Sequence, residues 1–125
     1  MKKQNIKLAI LLFILGFSLQ SCEFYEDTPS IDPNASNLTV YTYGALSQNA
    51  RPDILVSLHW TLEEAENNQN PIDGRRYTDE YGEVTFFNLP PDERFYVRAK
   101  PLVFKTIRET SYLYRGNNYI DVPVP

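Results

Sequence analysis

Thr78-Asp79-Glu80-Tyr81-Gly82-Glu83-Val84-Thr85-Phe86-Phe87-Asn88-Leu89-Pro90 holds the local determinants of a β-turn and of the strand that leaves it. Asp79 can fold its carboxylate onto nearby backbone N–H groups, and Gly82 supplies the positive φ that closes a tight hairpin. Val84 and Phe86 then recur at period two, the spacing of a strand with one buried face. Leu89 plugs the end of that face before Pro90-Pro91 turns the chain.

On both sides of this stretch the chain reads as β. The segments are short, rich in Val, Ile, Thr, Tyr and Phe, and separated by turn residues. Residues 38–43 place Leu38 and Val40 on one face and Thr39, Tyr41 and Tyr43 on the other. Residues 54–60 put Ile54, Val56, Leu58 and Trp60 inward, leaving Ser57 and His59 on an expected solvent face. Residues 63–74 are polar and read as a loop bearing Glu63, Glu64 and Glu66, with room for a short helix over 61–67. Residues 76–78 make a brief strand. Residues 95–100 send Phe95, Val97 and Ala99 inward and Tyr96, Arg98 and Lys100 outward. Residues 104–108 and 112–114 read as two more short strands, and 115–118 as a hairpin turn. Residues 119–124 close the domain with Ile120, Val122 and Val124 on one side. Pro123 has no N–H, which suits an edge strand.

The stretch from Thr78 to Pro90 resembles the carboxypeptidase regulatory-like and Cna-B-type domains of the prealbumin-like, or transthyretin-like, superfold. Their pattern is Thr-Asp-x-x-Gly-x-hydrophobic-x-Phe-x-x-Leu-Pro followed by an aromatic-x-Val strand, here Phe95-Tyr96-Val97. Pro52-Asp53-Ile54-Leu55-Val56-Ser57-Leu58 fits their second strand. The resemblance spans roughly residues 38–125 and implies an all-β, single seven-stranded antiparallel Greek-key β-sandwich. It says little about function, because such folds host many roles. Two family chemistries find poor footing. Cna-B-type domains often carry a Lys–Asn or Lys–Asp crosslink with the Lys on the first strand, and residues 38–43 contain no Lys. Transthyretin-like hydrolases end in Tyr-Arg-Gly-Ser and use more than one His. Tyr114-Arg115-Gly116-Asn117 is internal, differs in its last residue and accompanies a single His.

The other end of the chain gives an address. Lys2, Lys3 and Lys7 precede an apolar run over 8–17. That run is far short of the roughly 20 residues a membrane span needs, so it reads as a signal peptide. Leu19-Gln20-Ser21-Cys22 resembles the lipobox of bacterial lipoproteins. The resemblance implies cleavage before Cys22 and acylation of its thiol. The expected organisation is a leader over 1–21, an acidic flexible linker over 22–37 and the β-sandwich over 38–125. The expected location is the bacterial cell envelope, as an outer-membrane lipoprotein. Glu23, Glu26 and Asp27 resemble the acidic clusters that accompany surface display.

Composition narrows the chemistry. The chain carries 16 acidic residues against 12 basic ones, a net charge of −4, and three of the basic residues lie in the leader. That balance argues against nucleic acid and against general attraction to anionic lipid. One His and one Cys cannot build a usual zinc site. Asp79, Glu80 and Glu83 crowd one turn, but the turn itself accounts for Asp79. No catalytic residue, metal or cofactor is expected. Aromatic residues are the one surplus, with nine Tyr and seven Phe. Tyr41, Tyr43, Phe87 and Tyr96 fall outward by alternation and would form a sugar- or protein-binding platform if adjacent. The expected function is a lipid-anchored, non-catalytic accessory or protein-interaction module. A glycan-binding accessory of outer-membrane nutrient uptake and a structural subunit of a surface fibre are the alternatives. The expected partners are a membrane, through the lipid, and an envelope protein or a glycan. An open groove along a sheet edge would favour the fibre.

Overall fold

The structure is a computed structural model that describes residues 32–125. The leader, Cys22 and most of the expected linker lie outside the described residues. Seven strands and one short helix follow in the order β1 (Ser36–Gly44), β2 (Leu55–His59), α1 (Leu62–Asn67), β3 (Arg76–Tyr77), β4 (Glu83–Leu89), β5 (Tyr96–Lys100), β6 (Thr106–Glu109) and β7 (Gly116–Val124). They form two sheets, ordered β4-β1-β7 and β3-β2-β5-β6. The expected seven-stranded β-sandwich is what the chain forms.

One pairing departs from the antiparallel expectation. β7 runs parallel to β1 along its whole length, from Ser36 opposite Gly116 to Gly44 opposite Val124. The remaining strand pairs are antiparallel. β7 is an edge strand, as Pro123 requires. β1 also begins two residues before the expected boundary, and Ser36 and Asn37 are buried. Opposite them β4 is bulged, with Asn88 at φ 58° and its N–H donating to Asn37 Oδ1.

The core lies between the sheets. Leu38, Val40, Phe86, Leu89, Val122 and Val124 from one sheet meet Ile54, Val56, Leu58, Phe95, Val97 and Ala99 from the other. Leu113, expected on a strand, instead plugs the core from the irregular segment between β6 and β7. Trp60 is not in the core. It is 46% exposed and packs its ring against Phe95 at 4.8 Å. β2 ends at His59, so Trp60 no longer follows the strand's alternation.

The turn chemistry of the stretch from Thr78 to Pro90 is realised, but not as the expected hairpin: the turn passes from β3 in one sheet to β4 in the other, and the two strands do not pair. Asp79 Oδ1 accepts from the N–H groups of Tyr81 and Glu83 at 2.9 and 3.0 Å. Gly82 has φ 78°, and a Cβ there would lie 2.6 Å from the Thr42 carbonyl oxygen. Close approach to β1 and a left-handed backbone therefore both demand glycine. The short helix also forms. Thr61 caps it by accepting from the Glu64 N–H at 3.1 Å, Glu63 and Glu64 sit favourably in its first turn, and Asn68 ends it at φ 57°.

Candidate functional site

The polar face of β2 behaves differently from its sequence expectation. His59 and Ser57 point away from the inter-sheet core, yet both are buried. α1 packs over β2 and β5 and converts this outer face into a second interior. Ser57 Oγ donates to His59 Nε2 at 2.8 Å, and His59 Nδ1 donates to the Gln69 carbonyl at 2.6 Å. Burial lowers the His59 pKa from its ordinary value, and the Gln69 bond offsets this only in part. A Ser–His pair at hydrogen-bond distance looks like a nucleophile and its base. Here it is sealed under α1, so its geometry serves the fold rather than a substrate. Arg98, also expected outward and exposed, is 8% exposed under the same cover, and its Nε has no hydrogen-bond partner.

The four aromatic residues of the expected platform are divided. Tyr41 and Tyr43 stack on β1 with ring centroids 5.7 Å apart and planes inclined by 16°. Phe87 belongs to the same sheet, on β4, four residues beyond Glu83, which pairs with Tyr41. At a strand rise of ~3.3 Å per residue, that offset is about 13 Å. Tyr96 lies on β5 in the other sheet. Its hydroxyl donates to Glu109 Oε2 at 3.1 Å, and that carboxylate raises the Tyr96 pKa. Four residues on two sheets cannot form one flat platform. Tyr119, which the alternation argument did not single out, stands on β7 opposite Thr39 and is exposed.

A concavity lies where an edge of each sheet approaches the other. A cleft of about 410 Å³ runs between β6 and β7. Tyr112, Tyr114 and Tyr119 rim it, and Leu38, Leu113 and Ile120 line its floor. Arg94 sits over the Tyr112 ring at 5.1 Å and bonds Glu109 Oε2 at 3.1 Å, fixing one wall. Asn118 shapes the other wall. Its Oδ1 accepts from the Tyr114 N–H at 2.9 Å, and its Nδ2 donates to the Tyr114 and Asn37 carbonyls at 2.8 and 3.1 Å. Residues 115–118 are therefore not a hairpin turn. They launch β7 into parallel pairing with β1. Among the described residues, β6 pairs only with β5 and β7 only with β1, which leaves an unpaired backbone edge on each side of the cleft.

Among the described residues no group of three His, Cys, Asp or Glu side chains is placed to hold a metal ion. The Asp79 carboxylate is occupied by its turn. On the inward faces of β1 and β7, Leu38 and Val40 meet the same core as Val122 and Val124, and the buried polar residues of β1, Ser36, Asn37 and Thr42, include no Lys. Lys100 and Lys105 lie at the end of β5 and in the following loop, and β1 itself carries no Lys. No described helix is long and apolar enough to cross a membrane.

No protein-family model and no curated protein matches the chain. Solved structures do. The pilus 2b backbone protein of group B streptococcus is 12% identical, with a TM-score of 0.50 over 77% of this chain and 46% of that one. BcpA, the major pilin subunit of Bacillus cereus, is 10% identical, with a TM-score of 0.46 over 73% of this chain and 30% of that one. The chain thus spans less than half the length of the solved structures it matches. The streptococcal likeness is one of fold: the β-sandwich described above is an architecture that a pilus backbone protein also uses.

Proposed function

We propose that this chain is a lipid-anchored, non-catalytic module of the bacterial cell envelope that assembles with other protein chains, as a structural subunit of a surface fibre would. The observation that carries this reading is the cleft between β6 and β7. Two unpaired strand edges flank an apolar floor, and three tyrosines stand at its rim. An extended segment from another chain could add its backbone to either edge and place alternate side chains in the cleft. Tyrosine supplies large contact area at small entropic cost. The fold shared with a pilus backbone protein supports the same reading. The lipobox resemblance at Cys22 supplies the anchor.

The test is chemical crosslinking of intact cells that display a tagged full chain. Assembly predicts a ladder of crosslinked species that protease shaving of whole cells removes. Tyr114→Glu with Tyr119→Glu should abolish the ladder while leaving the melting temperature of the purified chain within a few degrees, since both side chains are exposed. Cys22→Ser should release the protein from the membrane. A wild type that crosslinks to nothing, or is protected until lysis, refutes the fibre reading. A second reading, glycan binding, draws on the stacked Tyr41–Tyr43 pair. Loss of glycan-array binding in Tyr41→Ala with Tyr43→Ala would establish it.

A further inference from the structure

The loop between β5 and β6 carries three consecutive exposed large apolar side chains. It reads Lys100-Pro101-Leu102-Val103-Phe104-Lys105, and Leu102, Val103 and Phe104 are 93%, 71% and 65% exposed. Consecutive apolar side chains held this far into solvent mark a contact site. Charge then selects the occupant. The chain has five lysines, of which three are in the leader, and the other two are Lys100 and Lys105. Both bracket this tip. Arg51 stands beside it, lining a shallow cleft of about 310 Å³ with Pro101, Leu102, Val103, Phe104 and Pro125. No acidic residue falls between Lys100 and Arg108. Asp53 lines the adjoining cleft with Arg51, Lys100 and Leu102, so three basic side chains stand against one carboxylate around the apolar tip, a local reversal of sign in an acidic chain.

We infer that this loop inserts into the interface of an anionic lipid bilayer. Leu102, Val103 and Phe104 would enter the boundary between headgroups and acyl chains, while Lys100, Lys105 and Arg51 meet the headgroup phosphates. Lipid attraction of this kind combines buried apolar area with short-range charge. The acidic composition that argues against lipid binding describes the whole surface, whereas screening over about 8–10 Å makes the local collar decisive.

The fold also sets the tip apart from the described N-terminus. Arg51 Nη1 donates to the Pro125 carbonyl, and Ala45 N–H to the Val124 carbonyl, so the tip lies at the Gly44 end of β1. Asp32 lies at the Ser36 end, where its N–H donates to Asn88 Oδ1. Nine residues of β1 separate the two ends, about 30 Å at strand rise. The tip's lipid contact is therefore distinct from any N-terminal attachment, and the test can tell the two apart.

The experiment places a reporter in the tip of the full chain. Trp60 is the chain's single tryptophan and lies beyond β2 at the opposite end, so the wild type is a built-in control. The reporter chain carries Phe104→Trp in a Trp60→Phe background. Vesicles of phosphatidylcholine and phosphatidylglycerol at about three to one, with brominated acyl chains, serve as the probe. The expected result is a blue shift of the reporter's emission, with quenching roughly threefold stronger than Trp60 shows in the wild type. Lys100→Gln with Lys105→Gln should weaken that quenching about fivefold, and so should salt at about 0.5 M. Should the double exchange fail to fold, Phe104→Trp alone is read as a difference from the wild type. The inference is overturned if the reporter remains unquenched while the chain is vesicle-bound, for then the N-terminal segment alone holds it. It is also overturned if the reporter's shift appears without lipid and grows with protein concentration, which would assign the tip to a second copy of the chain.

Discussion

His59 shows how a correct statement about direction can fail as a statement about environment. Alternation places its side chain away from the main core, and that is where it points. Alternation cannot say what lies above that face. The cover comes from α1, whose cap and first turn are readable but whose docking over β2 is a tertiary event. The consequence is measurable. Burial lowers the folded-state pKa of His59 below the value near 6.5 expected when unfolded. The unfolded chain therefore binds the proton more readily, and the contribution of neutral His59 is fully present above about pH 6.5. It is lost as the pH falls through the lower folded value. Thermal melting from about pH 7.5 to about pH 5 should show this decline in the wild type. His59→Gln does not titrate there and should flatten the profile. An equal slope in both proteins would mean that His59 protonates without cost.

At the scale of the element, the turn before β4 was the most legible part of the chain because its determinants are local; which strands it would join was not, and it leads from one sheet into the other instead of closing a hairpin. An Asx-type turn, a left-handed glycine and a period-two strand lie side by side in the sequence. Asp79→Ala removes two accepted backbone bonds and should cost about 1–2 kcal/mol. Gly82→Ala meets both a left-handed φ and the Thr42 carbonyl, and should cost about 2 kcal/mol or more. Denaturant titration of the two variants checks both, and a Gly82→Ala chain as stable as the wild type would contradict the close approach to β1. The C-terminal elements were less legible for the converse reason. Residues 112–114 alternate like a strand, yet Leu113 is held by Glu93 and Asp92 backbone partners in an irregular segment. The parallel partnership of β7 with β1 joins residues some eighty positions apart, and each strand's own pattern is satisfied whichever neighbour it takes. The aromatic platform failed at the same point. Alternation identified outward side chains, but sheet order decides which of them share a surface.

For the molecule as a whole, the parallel β1–β7 pair is what closes the sandwich. β7 delivers Val122 and Val124 to the core and leaves its outer edge over the tyrosine-rimmed cleft. The same strand thus serves stability on one side and docking on the other. A domain this small has little surplus burial to lose. Removing residues 116–125 strips those two valines, opens β1 along nine residues and frees the carbonyl partner of Arg51. The truncated chain should show no cooperative thermal transition, as read by circular dichroism and by rapid cleavage at low protease concentration. Tyr114→Glu with Tyr119→Glu leaves every one of those core contacts in place and should melt like the wild type. The contrast separates the two roles of β7. If the truncated chain still melts cooperatively, β4 and β1 with the second sheet suffice as a folding unit. The long edge of β7 would then exist for partners rather than for the fold.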